Sequence, residues 1–239
     1  ASDHYFCLRA VRVNLRPIIS TEDDLADSDQ KTVRLVLLIS PKGKRYLLRL
    51  QPGAHWSTNL GRIAHDDMLG KPAGGIVQTH LGTPFLLLEP TLADLITMIS
   101  RRTQIVFPKD EAHILFQLSI QPGSRVIEAG SGSGGMTTAL AWFVRPAGQV
   151  FSYEVNEQHQ QQARKNIVKV GLESYVTFHL RDIQEGFFET DVDALFLDVR
   201  SPWRYLAAVK RALRPGGRLA ILLPTTNQVS AVLRQLYQM

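Results

Sequence analysis

A run of glycines and a series of acidic side chains are the residues with the clearest chemical potential. The glycines lie between Gly130 and Gly135, and the acids Glu154, Asp182 and Asp198 each come after an apolar run. Glycines permit a sharp backbone turn and close approach of a ligand, and the helix that follows offers free N–H groups. A carboxylate at the position of Glu154 can accept hydrogen bonds from both hydroxyls of a ribose. This combination predicts a site for a cofactor that contains a nucleoside.

The spacing of the glycines fits two classes of cofactor. Gly130, Gly132 and Gly135 match the G-x-G-x-x-G pattern of dinucleotide-binding proteins. With Gly134 as the third member, the pattern is the G-x-G-x-G of S-adenosylmethionine (SAM) methyltransferases. A dehydrogenase would also need a hydride-relay acid/base pair and a substrate domain, and no such pair stands out. Residues that can bind a ligand follow four of the predicted strands, and this arrangement favours SAM. A nucleotide-dependent dehydrogenase remains an alternative.

A parallel sheet is needed to bring these side chains together, because the carboxyl ends of parallel strands share one edge. From residue 125 onward, apolar runs alternate with helical segments, which is typical of a doubly wound, Rossmann-like α/β sheet. Strands are predicted at residues 126–127, 149–153, 175–180, 193–197 and 218–223, with a turn over 214–217. Helices are predicted over residues 136–144, 157–170, 202–213 and 226–239, the second of them ending at Gly171.

The N-terminal part of the chain has short apolar runs and frequent turns instead. Residues 31–89 are predicted to form a small β-barrel domain that begins with a hairpin over 32–50. Residues 1–30 are expected to be a partly flexible leader, because its second half is acidic and polar. Residues 90–239 are then the cofactor-binding domain. Its first helices are predicted at 91–100, with Thr91 as N-cap, and at 110–118.

The composition argues against several classes of protein. The chain has 239 residues, and its single cysteine, Cys7, excludes a disulfide framework and a cysteine-based zinc site. The spacing of His55, His65 and His80 does not match a known metal site, so we predict no metal. No apolar run reaches membrane-spanning length, so we expect no membrane contact and a cytoplasmic location. The net charge of +5 is compatible with an anionic partner such as nucleic acid.

Five segments of the chain carry a family resemblance. Residues 102–110 look like a motif that precedes the first strand of the sheet, and residues 128–135 look like a glycine motif. The ends of the second, fourth and fifth strands supply the others, at residues 152–154, 197–203 and 223–229. Together, over residues 81–228, they resemble the tRNA (adenine-58, N1) methyltransferase family of class I SAM-dependent methyltransferases. The small β domain ahead of the catalytic domain also looks like that family's.

The resemblance implies SAM as the cofactor and a set of residues that bind it. Ser133 to Met136 would contact its methionine and ribose part, Glu154 its ribose hydroxyls, and Asp182 its adenine amino group, with His159 near the adenosyl group. The full predicted set is Gln104, Glu128, Gly130, Ser131, Gly132, Ser133, Gly134, Gly135, Met136, Glu154, His159, Asp182 and Asp198.

The resemblance also implies the reaction and the partner. The enzyme would transfer a methyl group from SAM to N1 of adenine 58 in the T-loop of tRNA, with Asp198 catalytic. The target base would stack on Phe107 or Trp203, and many relatives carry tyrosine where this chain has Phe107. Family analogy predicts a homotetramer. The alternatives are a SAM methyltransferase that acts on another RNA, a protein or a small molecule, and a tRNA-binding subunit without activity.

The chain ends at Met239, after the fifth predicted strand and one further helix. Class I methyltransferases normally add two antiparallel strands after this point. We therefore expect a fold that is incomplete at its C-terminus, with one edge of the sheet unpaired.

Overall fold

Antiparallel strands open the part of the chain that the computed structural model describes, residues 34–239; the leader expected over residues 1–30 lies outside it. Strands β1 (Leu35–Ile39) and β2 (Arg45–Arg49) form the predicted hairpin. The chain continues with β3 (His55–Thr58), β4 (Gly61–Ala64), α1 (Asp66–Leu69), β5 (Ile76–Gln78) and β6 (Pro84–Leu88). The prediction of an antiparallel N-terminal region is confirmed.

These strands are arranged as two sheets and not as one closed barrel. One sheet has the order β2–β1–β6–β5, and among the described strands β3 pairs only with β4. The two sheets share a hydrophobic core that includes Val36, Ile63, Val77 and Phe85. Side-chain packing and a few hydrogen bonds, such as that from the His80 N–H to the Arg62 carbonyl, join them, whereas the predicted barrel would need a continuous ladder of backbone hydrogen bonds.

A five-stranded parallel sheet carries the predicted cofactor residues. Its strands are β7 (Arg125–Ala129), β8 (Gln149–Glu154), β9 (Val176–Leu180), β10 (Val192–Leu197) and β11 (Leu213–Ile221). They lie in the order β11–β10–β7–β8–β9, and all neighbours are parallel. The chain leaves β7 toward β8 on one side and later returns to β10 on the other. This change of direction opens a crevice at the carboxyl end of β7, where α/β proteins bind ligands.

Six helices accompany the parallel sheet: α2 (Leu92–Thr97), α3 (Pro108–Leu118), α4 (Gly135–Val144), α5 (Glu157–Val170), α6 (Leu206–Ala212) and α7 (Thr226–Leu236). Thr91 caps α2 as predicted, in a reciprocal capping box with Asp94. Helix α3 begins at Pro108, two residues before the predicted start, because proline suits the first helical turn. Within residues 34–239, no helix is long and apolar enough to cross a membrane.

Two boundaries near the C-terminus differ from the prediction. The helix predicted over residues 202–213 is divided into a short 3-10 helix, Pro202–Arg204, and α6. Strand β11 starts at Leu213 and ends at Ile221, so it includes the segment predicted as a turn. Leu213 pairs with Val192, but Arg218 pairs with Ala194, so the residues between them form a bulge. The predicted turn residues thus have no partners on β10, and the strand is paired on both sides of them.

Candidate active site

The turn between β7 and α4 brings the backbone of Gly130 against the end of β10. Gly130 has φ of +102°, and a Cβ atom there would lie 2.3 Å from the carbonyl oxygen of Asp198. The Asp198 N–H also donates to the carbonyl of Ala129, with a nitrogen-to-oxygen distance of 2.9 Å. Only glycine fits at position 130, for both conformational and steric reasons. The two central strand ends are therefore held together around an open backbone turn.

A cavity of about 510 Å³ lies in front of this turn, at the carboxyl edge of the sheet. Its size is in the range typical of sites for small molecules and cofactors. Seven of the predicted site residues line it: Gln104, Gly130, Gly132, Glu154, His159, Asp182 and Asp198. The parallel sheet thus gathers side chains that are up to 94 positions apart, counted from Gln104 to Asp198.

The Glu154 carboxylate is held at the cavity wall by backbone donors. Its Oε2 accepts the N–H of Gly132 at 3.0 Å, and its Oε1 accepts the N–H groups of Val155 at 2.9 Å and Asn156 at 3.0 Å. A carboxylate offers about four acceptor positions, so one remains for a ligand hydroxyl. This position and orientation fit the predicted role in binding a ribose.

The Asp198 carboxylate is different, because it accepts no hydrogen bond from residues 34–239. Partial burial raises its pKa above the usual value, and the negative charge of Glu154 raises it further. If the Asp198 side chain capped the following 3-10 helix, it would not be available for catalysis. That helix begins after Ser201 and has no side-chain cap, so Asp198 is left as a free acceptor in the cavity.

Asp182 and His159 complete the wall on the β8–β9 side. One oxygen of Asp182 accepts the N–H of Gln184 at 2.8 Å, which fixes the carboxylate at the start of a short 3-10 helix. His159 lies in the first turn of α5, which Asn156 caps with its side chain. Both side chains lie on the same side of the cavity as Glu154, where the nucleoside part of a cofactor is predicted.

Two family models match the sequence. One, described as the tRNA methyltransferase complex GCD14 subunit, matches residues 85–239, and another, described as TrmI-like N-terminal, matches residues 35–77. The tRNA (adenine(58)-N(1))-methyltransferase TrmI of Thermus thermophilus is 35% identical over 200 residues, which are 83% of this chain and 78% of that protein. The chain belongs to the tRNA (adenine-58, N1) methyltransferase family.

Solved structures of similar proteins have the same fold as this chain. A SAM-dependent O-methyltransferase from Thermotoga maritima superposes with a TM-score of 0.74 at 41% identity, over 88% of this chain and 79% of that one. The tRNA (m1A58) methyltransferase TrmI from Aquifex aeolicus has a TM-score of 0.68 at 33% identity, over 86% of this chain and 80% of that one. The predicted Rossmann-like methyltransferase fold is confirmed.

In this member of the tRNA methyltransferase family, Ser133 holds the segment before α3 against the glycine turn. Its Oγ accepts the N–H groups of Arg102 at 2.9 Å and Thr103 at 3.0 Å, and lies 2.9 Å from the Thr103 hydroxyl. Thr103 and its neighbour Gln104 both line the cavity. Ser133 thus acts on the cavity through the protein, in addition to its predicted contact with the cofactor.

Asn166 is a supporting residue that the sequence analysis missed. Its Nδ2 donates to the carbonyls of Ser100 and Ser133, each at 2.8 Å, and its Oδ1 accepts the Ser100 N–H at 3.2 Å. The available signal was an amide on the apolar stripe of α5, between Ala163 and Ile167. Asn166 therefore ties the segment before α3 and the glycine turn to the same helix.

We expect Asn166→Ala to weaken SAM binding about tenfold and to lower the melting temperature, because one buried and two partly buried backbone groups lose their partner. Titration calorimetry and thermal unfolding would measure the two effects. Gln161→Ala, on the exposed side of the same helix, is the matched control and should behave as wild type. Unchanged SAM affinity in Asn166→Ala would show that the tie does not shape the cavity.

Other predicted site residues lie outside the cavity lining. Glu128 is fully buried, and its Oε2 accepts the hydroxyls of Thr137 and Ser152, each at 2.6 Å. Ser131 is buried, and its hydroxyl lies 2.6 Å from that of Ser152. Gly134 is the N-cap of α4, Gly135 is its first residue, and Met136 is in the core. Of the two predicted substrate-binding residues, Phe107 is exposed and Trp203 is half-buried. Their roles toward cofactor and tRNA stay predictions.

Several cavity residues were not among the predicted site residues. Tyr205 follows the 3-10 helix after β10 and lines the cavity together with Arg200. Tyr153 also lines the cavity. Its hydroxyl donates to Glu189 at 2.5 Å and accepts the Phe188 N–H at 2.7 Å. These contacts depend on how distant segments pack, which no local pattern shows.

Proposed function

We propose that the protein transfers the methyl group of SAM to N1 of adenine 58 in tRNA. The observation that carries the proposal is a free carboxylate, that of Asp198, in the same cavity as the glycine turn and Glu154. The related proteins with this name match most of the chain, which supports the choice of substrate. A dehydrogenase, one of the alternatives from the sequence, has no support among these relatives.

The residues present fit SAM. Gly130 and Gly132 line the cavity with backbone, and α4 begins at Gly135 with Gly134 as an N-cap that makes no side-chain hydrogen bond. Its free N–H groups suit the carboxylate of an amino acid, and Glu154 suits a ribose. SAM supplies an electrophilic methyl group on a cationic sulfonium. What the protein supplies is position, since holding two reactants in line removes much of the barrier.

Asp198 has a role that follows from the charge of the product. Adenine N1 is neutral before methylation, and the methylated base is cationic, with a more acidic 6-amino group. A carboxylate that accepts a hydrogen bond from this amino group stabilises the positive charge as it develops. The base must first leave its stack in the tRNA, and Phe107 and Trp203 are the aromatic side chains we propose to receive it.

The direct test is mass spectrometry of nucleosides from unmodified tRNA after incubation with the protein and SAM. We expect 1-methyladenosine, with the modification mapped to position 58. O-methylated nucleosides instead would favour the activity described for the Thermotoga maritima relative. Tight tRNA binding without any methylation would favour the non-catalytic subunit.

We expect Glu154→Ala to weaken binding of S-adenosylhomocysteine by about 1–3 kcal/mol, because hydrogen bonds to the ribose are lost. Calorimetric titration of wild type and variant with this ligand and with NAD would measure the effect. Glu157→Gln removes an exposed carboxylate three residues away and serves as the control. Binding of NAD but not of S-adenosylhomocysteine by the wild type would contradict the assignment of the cofactor.

We also propose that the protein is a homotetramer in the cytoplasm. Family analogy supports the tetramer, and the single cysteine supports a reducing compartment. Native mass spectrometry would measure the subunit number, and a monomer that methylates tRNA at the full rate would contradict the first part of the proposal.

A further inference from the structure

Two buried glutamates stand behind the glycine turn without the partners that buried charges usually have. Glu111 on α3 is 1% exposed and Glu128 on β7 is 0% exposed. Both carboxylate oxygens of Glu111 and the Oε1 of Glu128 have no hydrogen-bond partner within residues 34–239. Burial of a charged group without a partner is costly, so these side chains are unusual for a stable core.

Their location connects them with the cofactor cavity. A Cβ atom on Gly135 would lie 3.2 Å from Glu111 Oε1, so this carboxylate touches the first residue of α4. Glu128 precedes the glycine turn by two residues on β7. Neither side chain lines the cavity, so the acid pair, Glu111 with Glu128, acts on a ligand only through the protein.

The surroundings of the acid pair are negative or uncharged. Helix α4 has no charged side chain, and the other side chain near Gly135 at this point is the apolar Ile105 from the segment before α3. Beyond Glu128 come Glu154 and Asp198, which add to the negative potential. No basic side chain of residues 34–239 forms an ion pair with either member.

Protonation keeps this arrangement stable at neutral pH. Burial, and then the charge of Glu128, raise the pKa of Glu111 to about 8. Burial raises the pKa of Glu128 to about 7, against the opposing effect of the two hydroxyls that bind it. The charge of the acid pair therefore changes in the range of pH in which enzymes are normally assayed.

We propose that Glu111, together with Glu128, sets the preference of this site for the cationic SAM over its neutral product, S-adenosylhomocysteine. The proposal rests on SAM being the cofactor. The two ligands share the adenosine, the ammonium and the carboxylate groups, and they differ in one methyl group and one positive charge on sulfur. A negative charge behind the turn therefore acts on their affinity ratio, and the protein interior screens it less than water would.

The expected effect is a ratio of SAM to S-adenosylhomocysteine affinity that rises with pH. One additional charge at a distance on the order of 10 Å changes the ratio about tenfold at an effective dielectric constant near 20. The affinity for S-adenosylhomocysteine itself should change much less, since that ligand has no net charge. Glu111 is thus a specificity-determining residue and not a catalytic one.

The test is titration calorimetry of both ligands from pH 6 to 8.5 with wild type, Glu111→Gln and Asp110→Asn. Asp110 is the matched control, because it is an exposed acid on the same helical turn. We expect wild type and Asp110→Asn to show the rise in the affinity ratio, and Glu111→Gln to lose most of it above pH 7. The same pH profile in all three proteins, or an equal loss of both ligands in Glu111→Gln, would overturn the proposal.

A second measurement uses only the wild type, in case Glu111→Gln does not fold. Calorimetry at pH 7.5 in two buffers of different ionisation enthalpy gives the number of protons released on binding. SAM should release more protons than S-adenosylhomocysteine, because its charge favours the ionised pair. Equal proton release would overturn the inference while leaving the cofactor assignment intact, whereas failure to bind either ligand would refute the assignment itself.

Discussion

We expect Asp198→Asn to lower the rate of tRNA methylation by roughly 10²–10³-fold, because an amide would replace the acceptor that we propose stabilises the developing charge. Asp198→Ala has a similar effect. We expect the melting temperature to change little, since the carboxylate makes no hydrogen bond within residues 34–239 whose loss could unfold the protein. Single-turnover rates on unmodified tRNA, with enzyme in excess, measure the chemical step.

A control with the same chemical change is Asp191→Asn, at an exposed position just before β10. Its backbone has φ of +58°, a conformation that asparagine tolerates as well as aspartate. This variant should methylate tRNA at the wild-type rate. If Asp198→Asn instead methylates normally but melts at a lower temperature, Asp198 has a structural role and the catalytic assignment is wrong.

Glu111→Gln makes the protein more stable than wild type as the pH rises, by on the order of 4 kcal/mol between pH 5 and 8.5. The sign follows from the raised pKa, about 8 in the folded protein against 4.5 for an exposed glutamate. In wild type, the unfolded chain loses the Glu111 proton above pH 4.5 while the folded protein keeps it until about pH 8. Folding is therefore progressively disfavoured across this window, and glutamine removes the effect.

Urea unfolding at several pH values measures this difference. The buried glutamine amide adds a cost of its own, but that cost does not depend on pH, so the change with pH is the quantity to compare. Asp110→Asn, which alters an exposed acid on the same helix, should follow the wild-type curve. Parallel curves for wild type and Glu111→Gln would mean that Glu111 is ionised in the folded protein at neutral pH.

The main strand ends could be predicted from the sequence because their signals are local. Apolar runs that end in Glu154 and Asp198 mark parallel strands, and the glycines mark the turn after β7. Parallel pairing then places these ends at one edge by geometry alone. The helix 157–170 and its left-handed cap at Gly171 were correct for the same reason.

Errors occurred where pairing with another segment decides the conformation. Residues 214–217 have the composition of a turn and no partners on β10, yet the strand is paired with β10 on both sides of them, so they form a bulge within one strand. The β3–β4 hairpin has the pattern of a barrel strand pair, but it joins its neighbours by packing of Ile63 and by isolated hydrogen bonds, such as that from the His80 N–H to the Arg62 carbonyl, and not by a continuous ladder. Local composition cannot distinguish these outcomes, since each depends on a partner strand.

The amino-acid sequence was sufficient to predict the family, the type of cofactor and the strand ends that carry site residues, because motifs and periodicity are encoded over a few residues. The contacts of Asn166, Tyr205 and Glu111 could be recognised only from the tertiary structure. Asn166 reaches Ser100 across 66 positions, and Glu111 touches Gly135 from a different helix. A buried carboxylate has no distinctive sequence pattern; its solvation and its neighbours, which determine its charge, exist only after distant elements have packed together.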